Sequence, residues 1–244
     1  MISIAKKELH QFFSSLTGYI TIILFLLVCG FFLFFLKDSN IFDFGYATLD
    51  RFFDLAPWIF IFLIPALCMR SFADEFKTGT FEILQTRPLT SRQIVTGKYV
   101  AVLLVIVIAL LPTLLYVYTI HYFSAAGGID TGGIIGSYIG LLFLAAIFAS
   151  ISILCSALTA NAVIAFLMGA FTCLVLYFGF NAFSKLPIFS GNADYYLEMA
   201  GIDFHYRSIS RGVVDTRDIL YFLSVIFLFL FSTQKILSGK RSNR

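Results

Sequence analysis

The sequence predicts an all-α integral membrane protein, and three observations carry that prediction. Hydrophobic residues make up 59% of the chain, charged residues 13%, and the mean hydropathy is +0.92, where a soluble domain has about 45–50% apolar and about 25% charged residues. Six continuous apolar runs, 18–36, 55–72, 94–123, 133–158, 162–183 and 219–237, are each long enough to cross a hydrocarbon core of about 30 Å at about 1.5 Å per residue. None alternates polar with apolar residues, as a membrane β-strand of about 10 residues does. These runs consume most of the 244 residues, so a single membrane domain, 1–244, is expected, with no separate soluble unit of about 100 residues.

Residues 1–17 precede the first run. Ile2, Ala5, Leu9, Phe12 and Leu16 recur at three- and four-residue steps, with Lys6, Lys7, His10 and Gln11 on the other side. This predicts an amphipathic helix on the membrane surface, serving either as an anchor for the first span or as a docking element. The first run continues into Leu36-Lys-Asp-Ser-Asn40 without a small-x-small cleavage site, which argues for a retained span over a signal peptide.

A dense polar stretch, 71–94, separates the second and third runs. Arg70, Asp74, Glu75 and Lys77 bring charge to the membrane boundary, and Gly79 permits a turn that a side chain would hinder. Thr80 is placed to cap a short helix through Ile83 and Leu84, with Glu82 in its first turn favoured by the helix dipole. Pro88 disfavours helix at Arg87 and ends that segment. Thr90 and Gln93 then form a capping box for the third span, with Leu89 and Ile94 at the positions of a hydrophobic staple. Phe81 and Leu84 share one face, which either sinks into lipid or meets a partner. Residues 74–93 are thus either a docking segment or an ordinary connector.

Within the spans, Pro65 and Pro112 remove backbone donors and predict kinks. Gly132, Gly136 and Gly140 repeat at four-residue spacing and allow another helix to approach closely. Thr159-Ala-Asn161 makes a very short turn before the fifth span. Cys29, Cys68, Cys155 and Cys173 all lie in apolar runs without a CxxC pair, which reads as small buried hydrophobes. Residues 184–218 form either a structured cap or a mere interfacial loop. In that stretch Asp215 is placed to cap the sixth span with Asp218 as a weaker capping-box partner, and Val214 and Ile219 are placed to staple it. His205 stands alone, whereas a transition-metal site assembles several ligands, so no metal is expected.

The basic residues set an orientation. With the N-terminus inside, the inner segments hold Lys6, Lys7, Arg70, Lys77, Arg87, Arg92, Lys98, Lys235, Lys240, Arg241 and Arg244, against Lys37, Arg51, Lys185, Arg207, Arg211 and Arg217 outside. The positive-inside rule therefore puts both termini in the cytoplasm, 74–93 on the cytoplasmic side and 184–218 on the other.

Some chemistry is excluded. No interior span position is expected to carry Asp, Glu, Lys or Arg, which leaves no titratable chain for a proton relay. The two Gly-Lys pairs, at Gly97 and Gly239, have Arg92 and Gln234 where a P-loop needs glycine. No nucleophile and base cluster at one depth, so the chain is not read as an enzyme.

Glu75-Phe-Lys-Thr-Gly-Thr-Phe-Glu-Ile-Leu-Gln-Thr-Arg-Pro-Leu-Thr-Ser-Arg-Gln-Ile94, followed by Gly97-Lys98, resembles the signature of ABC-2 type ABC-transporter permeases. The resemblance implies a type V exporter-like fold with an N-terminal interface helix, and a coupling helix that meets a separate ATPase. ATP would be bound by that partner, and this chain would hold no cofactor of its own. On this reading Glu75, Gly79, Thr80, Phe81, Glu82, Leu84, Arg87 and Pro88 are the coupling residues, with Thr159 and Asn161 a second, smaller contact. The segment 203–222, with His205, Ser208, Arg211, Gly212, Asp215 and Asp218, is similar to the last outer loop of the subgroup that holds the GldF-like gliding-motility permeases and the NosY-like copper-associated ones. That likeness implies a GldA-like ATPase, a GldG-like sister membrane subunit or a second copy of the chain, and lipid as partners, with no nucleic acid.

Overall fold

A computed structural model describes residues 2–36, 48–82, 90–124, 128–186, 192–212 and 215–242. Among these residues the chain is helical with no strand, and six helical stretches are long and apolar enough to cross a membrane: Leu16–Phe34, Asp50–Thr78, Ser91–Phe123, Thr131–Leu158, Ala162–Ser184 and Thr216–Lys240. They coincide with the six apolar runs, but the second reaches further at both ends than the sequence suggested.

Helix α1 (Ile2–Ser14) is separated from α2 (Leu16–Phe34) by Ser15, whose backbone is extended. The face α1 buries differs from the expected one. Ile2 and Leu16 are exposed, whereas Ile4, Ala5 and Glu8 are buried, so the helix is rotated towards a stripe that includes a carboxylate. The second span is two helices, α3 (Asp50–Cys68) and α4 (Arg70–Thr78), meeting at Met69. Gly79 ends α4 in the left-handed region at φ 70°, which a Cβ would strain.

The third span opens on the expected capping box, in which Thr90 Oγ1 accepts from the Gln93 N–H at 3.3 Å and Gln93 Oε1 from the Thr90 N–H at 3.2 Å. It runs as α5 (Ser91–Leu110), a tight turn Leu111–Thr113, and α6 (Leu114–Phe123); Pro112 lies in that turn, as its missing donor requires. Span four, α7 (Thr131–Leu158), is the central pillar: 78% of its apolar window is buried, against 22% in the first and last spans. Its buried face is rich in small residues, Ala145, Ala146, Ala149, Ser150, Ser152 and Ala157 among them, which lets α3 and other neighbours approach closely.

The fifth span is α8 (Ala162–Leu174), a π-helical turn at Val175–Gly179 that the sequence reading did not anticipate, and α9 (Phe180–Ser184). Gly169 lets α8 press on α3 at Pro65, which lies inside that unbroken helix, since a Cβ there would lie 3.2 Å from the Pro65 side chain. Two short helices, α10 (Asn192–Met199) and α11 (Ile202–Ser210), form a cap before the last span, α12 (Thr216–Ser242). The stretch 184–218 is therefore structured where it is described. The free cysteines Cys29, Cys68, Cys155 and Cys173 are buried. The bundle has two unlike ends: one carries α1, α4 and the C-terminal part of α12, here called the terminal end, and the other carries α10 and α11, the cap end.

Candidate coupling site

At the terminal end the spans are tied to one short helix, α4. Lys98 lies two turns into α5 and is 2% exposed, contrary to the expectation that charge stays out of the spans. Its ammonium donates to Glu8 Oε1 of α1 at 2.9 Å, to Glu75 Oε1 of α4 at 2.8 Å and to the Ser71 carbonyl at 2.7 Å. A primary ammonium has three N–H bonds, and all three are used. Burying an isolated charge is prohibitive, and burying one with two carboxylates and a carbonyl around it is not.

The break at Met69 is stapled by α7. Ser156 Oγ accepts from the backbone N–H groups of Phe72 at 3.0 Å and Ala73 at 3.2 Å, and donates to the Met69 carbonyl at 3.0 Å. One hydroxyl thereby satisfies donors that the start of α4 leaves without intrahelical partners. Beside it, Phe81 packs edge-on against Phe76 with ring centroids 4.9 Å apart, and Phe72 lies 6.2 Å from Phe76. Phe81 is only 7% exposed. This corrects the expectation that it faces lipid or a partner: its ring plugs the protein interior and pins the chain after Gly79. Lys240, at the far end of α12, reaches the same place. Its ammonium sits 3.8 Å from the Phe76 ring centroid and donates to the Ala157 carbonyl at 3.0 Å.

The remaining expected coupling residues are distributed unevenly. Glu75 faces inward to Lys98 rather than out to solvent. Thr80 and Glu82 fall in a helical turn that begins after Gly79, with the Glu82 N–H donating to the Gly79 carbonyl at 3.3 Å. Leu84, Arg87 and Pro88 lie outside the described residues, as do Ile83, Leu89 and Val214. At the turn before α8, Asn161 Oδ1 caps the Val163 and Ile164 N–H groups, and Thr159 Oγ1 accepts from the Asn161 N–H. A cavity of about 530 Å³ lies between α1 and α4, lined by Glu8, Gln11, Arg70, Asp74, Glu75, Thr78, Thr80 and Lys98 among others.

The cap end is held by a separate polar network. His205 Nε2 lies 2.9 Å from the Met199 carbonyl, which can only accept, and Nδ1 lies 2.7 Å from Asp218 Oδ1, while the ring stacks on Tyr221 at 3.9 Å. Asp218 is therefore turned inward and is not the capping-box partner expected. Asp215 does cap α12, accepting from the Arg217 N–H at 3.0 Å, and that bond holds its carboxyl below the usual range. Buried Asp203 takes both Nε and Nη2 of Arg207, at 3.0 and 2.8 Å. The Tyr206 hydroxyl, its ionisation pushed up by burial, donates to the Phe53 carbonyl of α3 at 2.7 Å.

The glycines of α7 receive α11 here. A Cβ on Gly136 would lie 2.8 Å from Gly212 Cα, and one on Gly140 would lie 3.2 Å from Ile209. Gly212 itself has φ 83° and faces Gly133. Gly132 takes part only through its backbone, whose carbonyl carbon would lie 3.5 Å from a Cβ on Gly212. Arg211 Nε donates to the Arg207 carbonyl, and the Ser208 carbonyl accepts from the Arg211 N–H.

Glu8 and Ser156 were not singled out by the sequence reading, Lys240 entered it only as one of the inner basic residues, and Tyr206 only as an aromatic suited to the headgroup zone. Glu8 carried a usable signal: it sits four residues from both Ile4 and Phe12, a charge on the stripe that packs inward. A serine amid an apolar helix and a lysine in a basic tail carry none.

A bundle that is all-helical among the described residues, with six helices long and apolar enough to cross a membrane and a polar, helix-tipped break after the second, defines a multi-pass membrane protein. The chain matches the ABC-2 family transporter protein model over residues 2–244 and belongs to that family, the membrane permease subunits of ABC transporters. No curated protein matches it.

Proposed function

We propose that the chain is the permease subunit of an ATP-driven complex of the bacterial inner membrane, with both termini cytoplasmic and α4 with the turn after it receiving motion from a separate ATPase. The carrying observation is the convergence on α4: Lys98 ties it to α1 and α5, Ser156 to α7, and Lys240, over the Phe76 ring, to α12. A push on α4 is delivered at once to α1 and to three further spans, the third, fourth and sixth, as a rigid-body shift of packed helices requires. The excess of lysine and arginine at this end supports a cytoplasmic position. The second turn, Thr159 to Asn161, abuts the same region through Ala157.

Within the family, the likeness of 203–222 supports a GldF-like, gliding-motility-associated role with a GldA-like ATPase and a GldG-like sister subunit or a second copy. A NosY-like copper-associated permease shares that segment, and a membrane scaffold for an ATPase uses the same inner face. ATP hydrolysis that responds to an exported molecule supports transport; hydrolysis needed only for assembly of a surface machine supports the scaffold. Replacing Glu82 with Lys and Leu84 with Asp is expected to abolish ATPase co-purification while leaving membrane insertion intact. Co-purification at wild-type yield would contradict the docking assignment.

A further inference from the structure

The cavity of about 530 Å³ between α1 and α4 has an apolar floor beneath its polar walls. Thr17, Ile20 and Thr21 of α2 and Ala66 and Leu67 of α3 line it at the ends of the first two apolar runs, where hydrocarbon gives way to the headgroup layer. From this floor two exposed apolar stripes lead away along the spans. Ile20, Leu24 and Leu27 follow one another at four- and three-residue steps on α2, and Ala66, Phe62 and Trp58 at four-residue steps on α3. The helix carries on through Met69 at φ −54° and ψ −33°, so Arg70 continues the second stripe by one more step and ends it on the cavity wall.

The charges that line the cavity sum to zero: Lys7, Arg70 and Lys98 against Glu8, Asp74 and Glu75. Lys98, Glu8 and Glu75 are spent on one another. That leaves Lys7, Arg70 and Asp74. Lys7 is exposed, and Arg70 Nε stands 3.9 Å from Asp74 Oδ2, too far for a hydrogen bond, with the two side chains 62% and 51% exposed. A neutral wall with separated, accessible charges of both signs matches a zwitterion better than it matches a lone anion or cation. We infer that the cavity seats one phospholipid with a primary-amine headgroup, its phosphate between Lys7 and Arg70, its ammonium at Asp74 and its acyl chains along the two exposed stripes. A guanidinium and an ammonium at the membrane boundary are suited to a phosphate diester, and a carboxylate to an N–H-bearing ammonium. The site needs no ATPase and stands whether or not α4 docks one.

The test offers the purified permease an equimolar mixture of phosphatidylethanolamine, phosphatidylcholine and phosphatidylglycerol with identical acyl chains, and counts the retained lipids by native mass spectrometry. One retained lipid is expected, phosphatidylethanolamine over phosphatidylcholine by about 10-fold, the low end for one charge-assisted hydrogen bond because Asp74 is half exposed. Choline has no N–H to give. Arg70→Gln is expected to lower retention about 10-fold, and Asp74→Asn to keep a lipid bound but bring the ethanolamine-to-choline ratio close to one. Lys6→Gln removes an exposed cation of α1 that does not line the cavity, and should change nothing.

Ala66→Trp guards against misreading a misfolded charge variant. Ala66 is exposed, so the larger side chain fills the cavity mouth without entering the core, and every charge stays in place. It is expected to lose the lipid while keeping the parent's helix content. Retention at the parent's level in Ala66→Trp or Arg70→Gln would overturn the inference, as would an ethanolamine preference that survives Asp74→Asn. Equal retention of the three lipids, or none of any, would overturn it too. So would phosphatidylglycerol held as well as phosphatidylethanolamine, or Lys6→Gln losing as much as Arg70→Gln, either of which would mean attraction by basic surface charge alone.

Discussion

Lys98 and Glu8, ninety residues apart in sequence, form an ion pair of 2.9 Å that fixes the N-terminal helix to the third span. The pair fastens α1 to the bundle. Removing one partner of a buried ion pair costs about 3–5 kcal/mol because it strands the other. Lys98→Met, which leaves two carboxylates facing each other, is expected to destabilise by about that amount, read as a fall in the thermal unfolding midpoint in detergent. The triple variant Lys98→Met, Glu8→Gln, Glu75→Gln is expected to recover most of the loss.

Ser156 has its effect at a distance from its own helix. With Ser156→Ala the Phe72 and Ala73 N–H groups and the Met69 carbonyl lose their partner, at about 1–3 kcal/mol for unsatisfied buried groups. Hydrogen exchange should speed up at Phe72 and Ala73 while the centre of α7 keeps its protection. Unchanged exchange at those two amides would mean that the start of α4 is held by other contacts.

The three α7 glycines predicted to admit a helix should separate on substitution. Gly136→Ala meets the Gly212 backbone at 2.8 Å and the Ile209 carbonyl at 3.0 Å, neither of which can rotate away. Overpacking of this kind costs about 1–3 kcal/mol. Gly140→Ala meets a side chain at 3.2 Å and is expected to be milder. Gly132→Ala, whose nearest neighbour is a side-chain oxygen at 3.5 Å, should be neutral or stabilising. Thermal midpoints of the three variants check the order.

The cap end predicts a coupled pair. Tyr206→Phe removes the only hydroxyl that joins α11 to the Phe53 carbonyl of α3 among the described residues, at about 1–2 kcal/mol. Limited proteolysis of sealed vesicles should then cut near 192–212 faster, with the α4 end unaffected. Equal protection in variant and parent would place the hold of the cap on His205 and Asp218 instead.

The spans were legible because lipid enforces long apolar runs and prolines break them: Pro112 marks its turn, and Thr90 with Gln93 marks the start of α5. Gly136 and Gly140 were legible as a close-packing surface, but not the helix that fills it. What sequence could not show is where charge turns inward. Glu75 and Lys98 read as solvated ends of spans because their partner Glu8 lies on a different helix, and a three-body cluster leaves no local period. Phe81 read as surface for the same reason, since its partners Phe72 and Phe76 are reached only once Gly79 has reversed the chain. Asp218 matched a capping-box spacing, yet His205 competes for it more strongly across the cap.

A photo-crosslinking residue placed at Lys77 or Thr78, at the exposed tip of α4, tests the central claim most directly when used in the native membrane with mass-spectrometric identification of the adduct. The account predicts a covalent adduct to a subunit bearing the P-loop pattern that this chain lacks, and none from a matched position at Ser208 on the cap end. An ATPase adduct from Ser208 with none from Lys77 or Thr78 would contradict it.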